Sequence, residues 1–158
     1  MKLKIGLLVT LVLIIVYSCS QKETVKGDLF FKLVDFGSFY NADDSQIESF
    51  EKEMDSVISS PNVGQNWKDS YEFIERLKKN GLIKSPHIHL QLHSDSIIRI
   101  YLSENEYEKV RGFNKSELQK TGKKVEIELE FERRDEGLYY SDRIIEVNEI
   151  EGKTPWRK

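Results

Sequence analysis

Cysteine, proline and long apolar runs are all scarce in this chain. It has one cysteine and three prolines in 158 residues. A single cysteine cannot form an intramolecular disulfide, so any domain in the chain must fold without one. The longest apolar run extends from Ile5 to Val16. At 1.5 Å per residue it spans about 18 Å, which is short for a hydrocarbon core of roughly 30 Å. A permanent transmembrane helix is therefore disfavoured.

Catalytic sequence motifs are also missing. Gly152-Lys153-Thr154 resembles the end of a phosphate-binding loop, but the earlier glycine would fall at Val147. The chain has no Gly-x-Ser-x-Gly motif. A histidine, a serine and an aspartate are adjacent at positions 93–95, but catalytic triads are assembled in space and not in sequence. The sequence therefore predicts a protein that is not an enzyme, and it implies no cofactor.

The lone cysteine follows what has the form of an export signal. Two lysines precede the apolar run, and small polar residues follow it at positions 18 and 20. A basic start, a short apolar core and a small residue before a cleavage point are the parts of such a signal. We therefore expect residues 1–18 to be a signal peptide.

The stretch Val16-Tyr17-Ser18-Cys19 resembles the lipobox of bacterial lipoproteins, in which an aliphatic, a variable and a small residue precede cysteine. The resemblance covers only the first 20 residues. It implies cleavage before Cys19 and acylation of Cys19 by palmitate-like chains. Two or three chains on one residue hold a protein permanently at the lipid bilayer, whereas one holds it reversibly. The alternative is an uncleaved anchor helix that contains a buried cysteine.

Charge and length indicate one exported domain. Removal of residues 1–18 leaves 22 basic and 27 acidic side chains, a net charge of −5. This charge, like export, argues against nucleic acid as a partner. We expect an acylated Cys19 and linker at 19–26 and a single globular domain at 27–158. Fully extended, the polar residues from Ser20 to Lys26 could hold the domain up to about 25 Å from the bilayer.

The hydrophobic pattern predicts the α+β fold class. An apolar run at 29–36 predicts a strand covered on both faces. Apolar residues at helical spacing predict one helix that ends before Pro61 and another over 67–79. Asp43, Asp44 and Ser45 are the candidate caps of the first helix, and Ser45 with Glu48 would form a capping box. The second helix should stop at Gly81, with Leu82 folding back toward Leu77.

From Pro86 the apolar period changes to two. Residues 87–102 predict a hairpin whose three-residue loop is Ser94-Asp95-Ser96, which would place Leu90 opposite Ile100. One or two short helices are expected within 103–122. A strand at 125–132 and a last strand follow. In the last strand Leu138 and Tyr140 differ in parity from Ile145 and Val147, so a bulge is predicted near 142–143.

These elements have the order β-α-α-β-β-(α)-β-β. The order predicts a mostly antiparallel sheet of about five strands with two main helices on one side.

The three histidines lie on one predicted strand and its loop. His87 and His89 would be about 6.6 Å apart on one face, which is close enough to share a zinc ion. His93 would lie too far along the strand to join them. Because a metal site needs three or four converging ligands, we predict the solvated polar face of a hairpin and no metal site. His87 and His89 stay as weak candidates for a metal-binding alternative.

An acidic stripe and several aromatic residues could also edge a binding surface. The carboxylates of a flat strand do not converge as a calcium site requires. We therefore interpret the stripe as a solvated face whose negative charge is neutralised by lysine and arginine residues on neighbouring strands. The stripe is formed by Glu126, Glu128, Glu130 and Glu132. Most aromatic residues, Trp67 and Trp156 among them, are assigned to packing.

Three functions are compatible with these patterns. The first is a lipid-anchored protein of the cell envelope whose domain binds a protein partner, with the outer membrane as the expected site. The second is a metal-binding domain, and the third is an inhibitor or immunity lipoprotein directed against a toxic enzyme. The sequence favours the first because it offers neither a catalytic motif nor a converging set of ligands.

Overall fold

The computed structural model describes residues 22–32 and 39–157. The α+β class and the element order are confirmed. Residues 1–21, which contain the predicted signal peptide and Cys19, lie outside the described residues, and so do residues 33–36 of the predicted first strand. The elements in chain order are β1 Glu23–Lys32, α1 Asp44–Ile58, α2 Gln65–Lys79, β2 His87–Gln91, β3 Ile97–Leu102, α3 Glu104–Glu108, α4 Lys115–Thr121, β4 Lys123–Asp135, β5 Leu138–Glu151 and β6 Trp156–Arg157.

Five strands pair with one another in a closed ring. β1 is antiparallel to β2 and β4, β2 to β3 and β4 to β5, while β3 and β5 are parallel. The short β6 adds to β1 in parallel. The sheet is therefore mixed but mostly antiparallel, as predicted. Five strands closed in Greek-key order form the OB-fold architecture, which hosts unrelated functions and assigns none by itself.

The ring closes where β1 changes partner. β1 pairs with β4 from Glu23 to Asp28 and with β2 from Asp28 to Phe30. A Cβ atom built on Gly27, just before this change, would lie 2.8 Å from the carbonyl oxygen of Gln91. Real side chains do not approach a backbone oxygen so closely, so the absence of a side chain lets β1 come against the end of β2.

This strand corrects the predicted linker. β1 begins at Glu23, so residues 23–26 belong to the domain and the boundary at Gly27 is wrong. The stretch was misread because Val25 is its only apolar residue, and because Gly27 was interpreted as a boundary although it lies inside a strand.

The inside of the ring forms one apolar core. Alternating residues of all five strands point inward, and α3 and the residues around α4 contribute further apolar side chains. The cluster consists of Leu29, Ile88, Leu90, Ile100, Leu102, Val110, Leu118, Val125, Ile127, Leu129 and Ile144. The predicted inward face of β4 is confirmed, since Val125, Ile127 and Leu129 are fully buried.

The helix α2 packs outside the ring through its last turn. Leu77 forms a second buried apolar cluster together with Leu82, Tyr101 and Leu138. The predicted helix stop is confirmed: Leu82 N–H donates to the Leu77 oxygen at 2.8 Å, next to Gly81 in the left-handed conformation (φ 68°). α1 ends before Pro61 as predicted.

The start of α1 corrects the predicted capping box. It is formed by Asp43 and Gln46, and not by Ser45 and Glu48. The Asp43 carboxylate accepts from the Gln46 backbone N–H at 2.8 Å, and the Gln46 side chain accepts from the Asp43 N–H at 2.9 Å. The cap lies two residues earlier because aspartate supplies the same kind of acceptor as serine.

The β2–β3 hairpin has a three-residue loop, but its register differs from the predicted one. Leu90 lies opposite Ile98, and Ile88 lies opposite Ile100. Leu92 N–H donates to the Ser96 oxygen at 2.8 Å, so the loop is 93–95. Asp95 takes the left-handed conformation that such a loop requires (φ 62°). The shift of two residues keeps the same face inward, which is why alternation alone could not detect it.

The β4–β5 pair contains several register irregularities. One lies between Glu130 and Glu132, opposite residues 141–142 of β5, next to the predicted bulge. Another lies near Ile145, so that Ile144 is buried while Ile145 is 45% exposed. The prediction that Ile145 shares the face of Val147 is therefore wrong, because a second irregularity at Ile145 changes the parity again.

Glu106 fastens α3 to this part of β5. Its side chain is largely buried, and its Oε2 accepts the backbone N–H of Ile144. Lys109 Nζ donates to the same carboxylate at 2.7 Å.

No helix within the described residues 22–32 and 39–157 is long and apolar enough to cross a membrane.

Candidate binding groove

A row of three side chains crosses the outer face of β1, β2 and β3. Phe30 lies opposite His89, and His89 lies opposite Arg99. The row faces outward because its neighbours along each strand, such as Leu29 and Leu90, belong to the inner core. The Arg99 Nε donates to His89 Nε2 at 3.2 Å, and the Arg99 guanidinium stands 5.5 Å from the centre of the Phe73 ring of α2.

The histidines do not form the predicted solvated face. His89 is 7% exposed, His87 is half-buried and His93 is exposed in the loop. The rings of His87 and His89 meet edge to face at 5.4 Å between centroids, and His87 is also 5.4 Å from the Tyr101 ring. The prediction failed because other side chains pack beside the histidines: Arg99 donates to His89, and Phe73 of α2 lies against the Arg99 guanidinium. A pattern of alternation shows which residues share a face, but not what lies over it.

This arrangement does not favour a metal ion. The His89 Nε2 atom, one of its two possible ligand atoms, already accepts from the Arg99 guanidinium. A metal ion at that nitrogen would replace a cationic donor and lie beside it. Among residues 22–32 and 39–157, no three or more histidine, cysteine, aspartate or glutamate side chains are placed to hold one ion.

Two adjacent cavities open along the row. They share Phe30 and Ile97 as lining residues, and we call them together the β1–β3 groove. The histidine cavity has a volume of about 470 Å³ and is lined by Phe30, Lys32, Phe73, His89, Ile97, Arg99 and Gly137. The tail cavity has a volume of about 490 Å³ and is lined by Phe30, Gln91, Ile97, Lys153, Thr154, Pro155 and Trp156.

The groove is cationic although the chain is acidic overall. Its charged lining residues are Lys32, Arg99 and Lys153, and none of its lining residues is an aspartate or glutamate. Within the described part of the chain, Lys32 and Lys153 form no ion pair. By contrast, Lys26 lies 2.7 Å from Glu126 and Lys124 lies 2.8 Å from Asp28. Positive charge is therefore concentrated at the groove.

The C-terminal segment forms one wall of the tail cavity and is held in place from several sides. Trp156 pairs with Phe31 of β1, and the Phe31 N–H donates to the Pro155 oxygen at 3.3 Å. The Lys115 ammonium stands 3.3 Å from the centre of the Trp156 ring. The Thr154 hydroxyl is buried and donates to the Lys123 oxygen. This wall is therefore part of the folded domain.

The acidic stripe of β4 has the predicted cationic neighbours. Glu126 accepts from Lys26 of β1, and this hydrogen bond is the main cause that lowers the pKa of Glu126 and raises that of Lys26. Glu130 lies 3.2 Å from Arg143 of β5, and Glu132 pairs with Arg134. Three of the four carboxylates of the stripe therefore form ion pairs within the described part of the chain.

A third cavity lies between α1 and α2. It has a volume of about 670 Å³, a mostly apolar lining, and Trp67 at its edge with 54% exposure. It is lined by Phe39, Phe50, Met54, Asn66, Trp67, Ser70, Phe73 and Ile74. Trp67 therefore lies at an opening and not in the packed face predicted for it.

Sequence reasoning missed most of the groove. Phe30 and Lys32 share the outward parity of β1, which could have indicated a mixed aromatic and cationic face. The contributions of Ile97 and Lys153 depend on the hairpin register and on the path of the C-terminal segment, which local patterns do not show. The chain matches no protein-family model, no curated protein and no solved structure.

Proposed function

We propose that this protein is a bacterial lipoprotein anchored to a membrane of the cell envelope through acylated Cys19, and that its domain is a non-enzymatic binding module for a protein partner. The observation that carries the binding role is the β1–β3 groove, in which aromatic and apolar residues are combined with lysines that form no ion pair within the described residues. Concave surfaces of this composition are typical of binding sites.

The anchor is supported by the lipobox-like stretch and by the position of β1. Three residues separate Cys19 from Glu23, where β1 starts. Four residue steps span at most about 14 Å. The acylated residue would therefore hold the Glu23 end of the domain within about 14 Å of the bilayer, whereas a linker up to Lys26 would let the domain lie up to about 25 Å away.

The anchor is tested by labelling cells with a radioactive fatty acid. The wild-type chain should incorporate the label and shorten to the mature form, whereas Cys19→Ala should do neither. Ser20→Ala is the matched control, because the residue after the modified cysteine carries no acyl chain. Normal labelling of Cys19→Ala would contradict the anchor.

The binding role is tested by reversible crosslinking in cells, followed by purification of the full-length chain. Ile97 of the groove and Ile145 of β5 are exposed to a similar degree, 37% and 45%. Ile97→Ser should lose a co-purifying protein that Ile145→Ser retains. Equal recovery from both variants would show that the partner does not use the groove.

A further inference from the structure

The tail cavity combines Lys153 with exposed apolar surface and lies next to Lys32, and neither lysine forms an ion pair within residues 22–32 and 39–157. We propose that this cavity binds an acidic segment of the protein partner, with a carboxylate at Lys32 and Lys153 and an apolar side chain against Ile97 and Trp156. This inference rests on the proposed function and names the chemistry of the partner. It concerns the end of the groove formed by the C-terminal segment.

Charge supports an acidic segment. Lys153 lines the cavity, and Lys32 lies next to it beyond the shared residue Phe30. Both side chains are exposed, and neither forms an ion pair with any residue within the ranges 22–32 and 39–157. A ligand carboxylate would supply the counter-charge that Glu126 of β4 supplies for Lys26 and that Asp28 of β1 supplies for Lys124. Complementary charge raises the rate and the specificity of association.

The carboxylate of Asp95, near the cavity, favours one orientation of the bound acidic segment. Gln91 donates to Asp95 at 3.3 Å, on the hairpin side of the cavity. Repulsion from Asp95 would keep an acidic group away from the hairpin and place it toward Lys153. The cavity is therefore polarised along its length.

Apolar surface supports a peptide over a simple anion. Ile97 is among the few large hydrophobic residues of the described chain that are exposed, and it lines the cavity together with Phe30, Pro155 and Trp156. An inorganic anion would gain nothing from these side chains. Aromatic and apolar anchors beside charged groups are typical of the centre of a protein interface.

The course of β1 supports a protein over a lipid headgroup. β1 has ten residues from Glu23 to Lys32, about 30 Å along an extended strand. The proposed anchor enters at Glu23, whereas the cavity lies at the Lys32 end. A headgroup of the anchoring bilayer would have to reach the far end of the domain, while a protein partner can approach it from the other side.

The test uses the full-length chain in detergent micelles and a displayed library of random 12-residue peptides. Peptides are selected on the wild-type chain and then measured against the double variant Lys32→Glu, Lys153→Glu. The matched control is Lys52→Glu, Lys68→Glu, which reverses two exposed lysines of α1 and α2 that also lack ion pairs within the described residues. Circular dichroism melting checks that every variant is folded.

Selected peptides should be enriched in aspartate and glutamate beside an aromatic or aliphatic residue. Their affinity should fall at least tenfold for the groove variant, and by less than twofold for the control. It should also weaken as salt is raised. A further variant, Trp156→Ala, removes the aromatic wall of the cavity. Peptides without acidic enrichment that lose affinity for Trp156→Ala would overturn the acidic partner but leave the groove as a binding site. Peptides that bind all variants equally, or no enrichment at all, would overturn both.

Discussion

Closure of the strand ring depends on the missing side chain of Gly27. In Gly27→Ala the new Cβ would lie 2.8 Å from the Gln91 oxygen, 3.1 Å from Leu92 Cδ2 and 3.3 Å from Leu90 Cβ. The first of these contacts is with backbone and is about half an ångström shorter than ordinary van der Waals contact. Either β1 or the end of β2 must move, at a site where their pairing comprises only residues 28–30 and 89–91.

Overpacking of this kind costs about 1–3 kcal/mol. The Gly27→Ala variant should therefore lower the free energy of unfolding by about 2 kcal/mol, which moves the urea midpoint by about 1 M at a slope of about 2 kcal/mol per M. Gly112→Ala is the control, because a Cβ atom there meets nothing within 4 Å. A Gly27→Ala midpoint equal to that of the control would refute the close approach of β1 and β2.

Four further predictions follow from the same contacts. A chain that starts at Gly27 should melt less cooperatively than one that starts at Lys22, because it lacks the Glu23–Lys26 pairing with β4; equal thermal melting curves in reductant would contradict this. Glu106→Ala should lower the free energy of unfolding by about 2 kcal/mol, since a buried N–H loses a charged acceptor, and an unchanged urea midpoint would refute that role. The folded pKa of Glu126 is lowered, so its contribution to the free energy of unfolding is present above the unfolded pKa of about 4.3 and is lost as pH falls through the folded pKa. Glu126→Gln should therefore reduce the loss of stability at acid pH in a pH–stability curve, and an unchanged curve would contradict the ion pair. Calorimetric titration with zinc should show binding weaker than micromolar, and tight one-to-one binding lost in His89→Ala would restore the metal hypothesis.

Local signals in the sequence were enough to place the two main helices along the chain, although not the capping box of α1. The end of α2 was predicted because Gly81 and Leu82 supply a left-handed residue and an apolar contact within a few positions of Leu77. These interactions are made between neighbours in sequence, so the chemistry of each residue is sufficient to identify them. The α+β class was predictable for the same reason, since every main element has its own period.

Pairing between distant strands was less accessible. Gly27 was interpreted as a boundary because its reason for being glycine, the Gln91 oxygen, lies 64 positions away. The hairpin register was wrong by two residues because both registers keep Leu90 on an apolar face, so the apolar pattern does not distinguish them. The groove depends on these same pairings, which is why its residues were not predicted as a set.

In-cell photo-crosslinking at the groove tests the central claim most directly. A photoreactive amino acid in place of Ile97 lies between the two cavities, and the same amino acid in place of Ile145 lies on β5, outside both of them. With Cys19 unchanged, illumination should join the chain to one discrete envelope protein from position 97 and not from position 145. The same adduct from both positions, or none from position 97, would contradict an anchored protein that binds its partner through the β1–β3 groove.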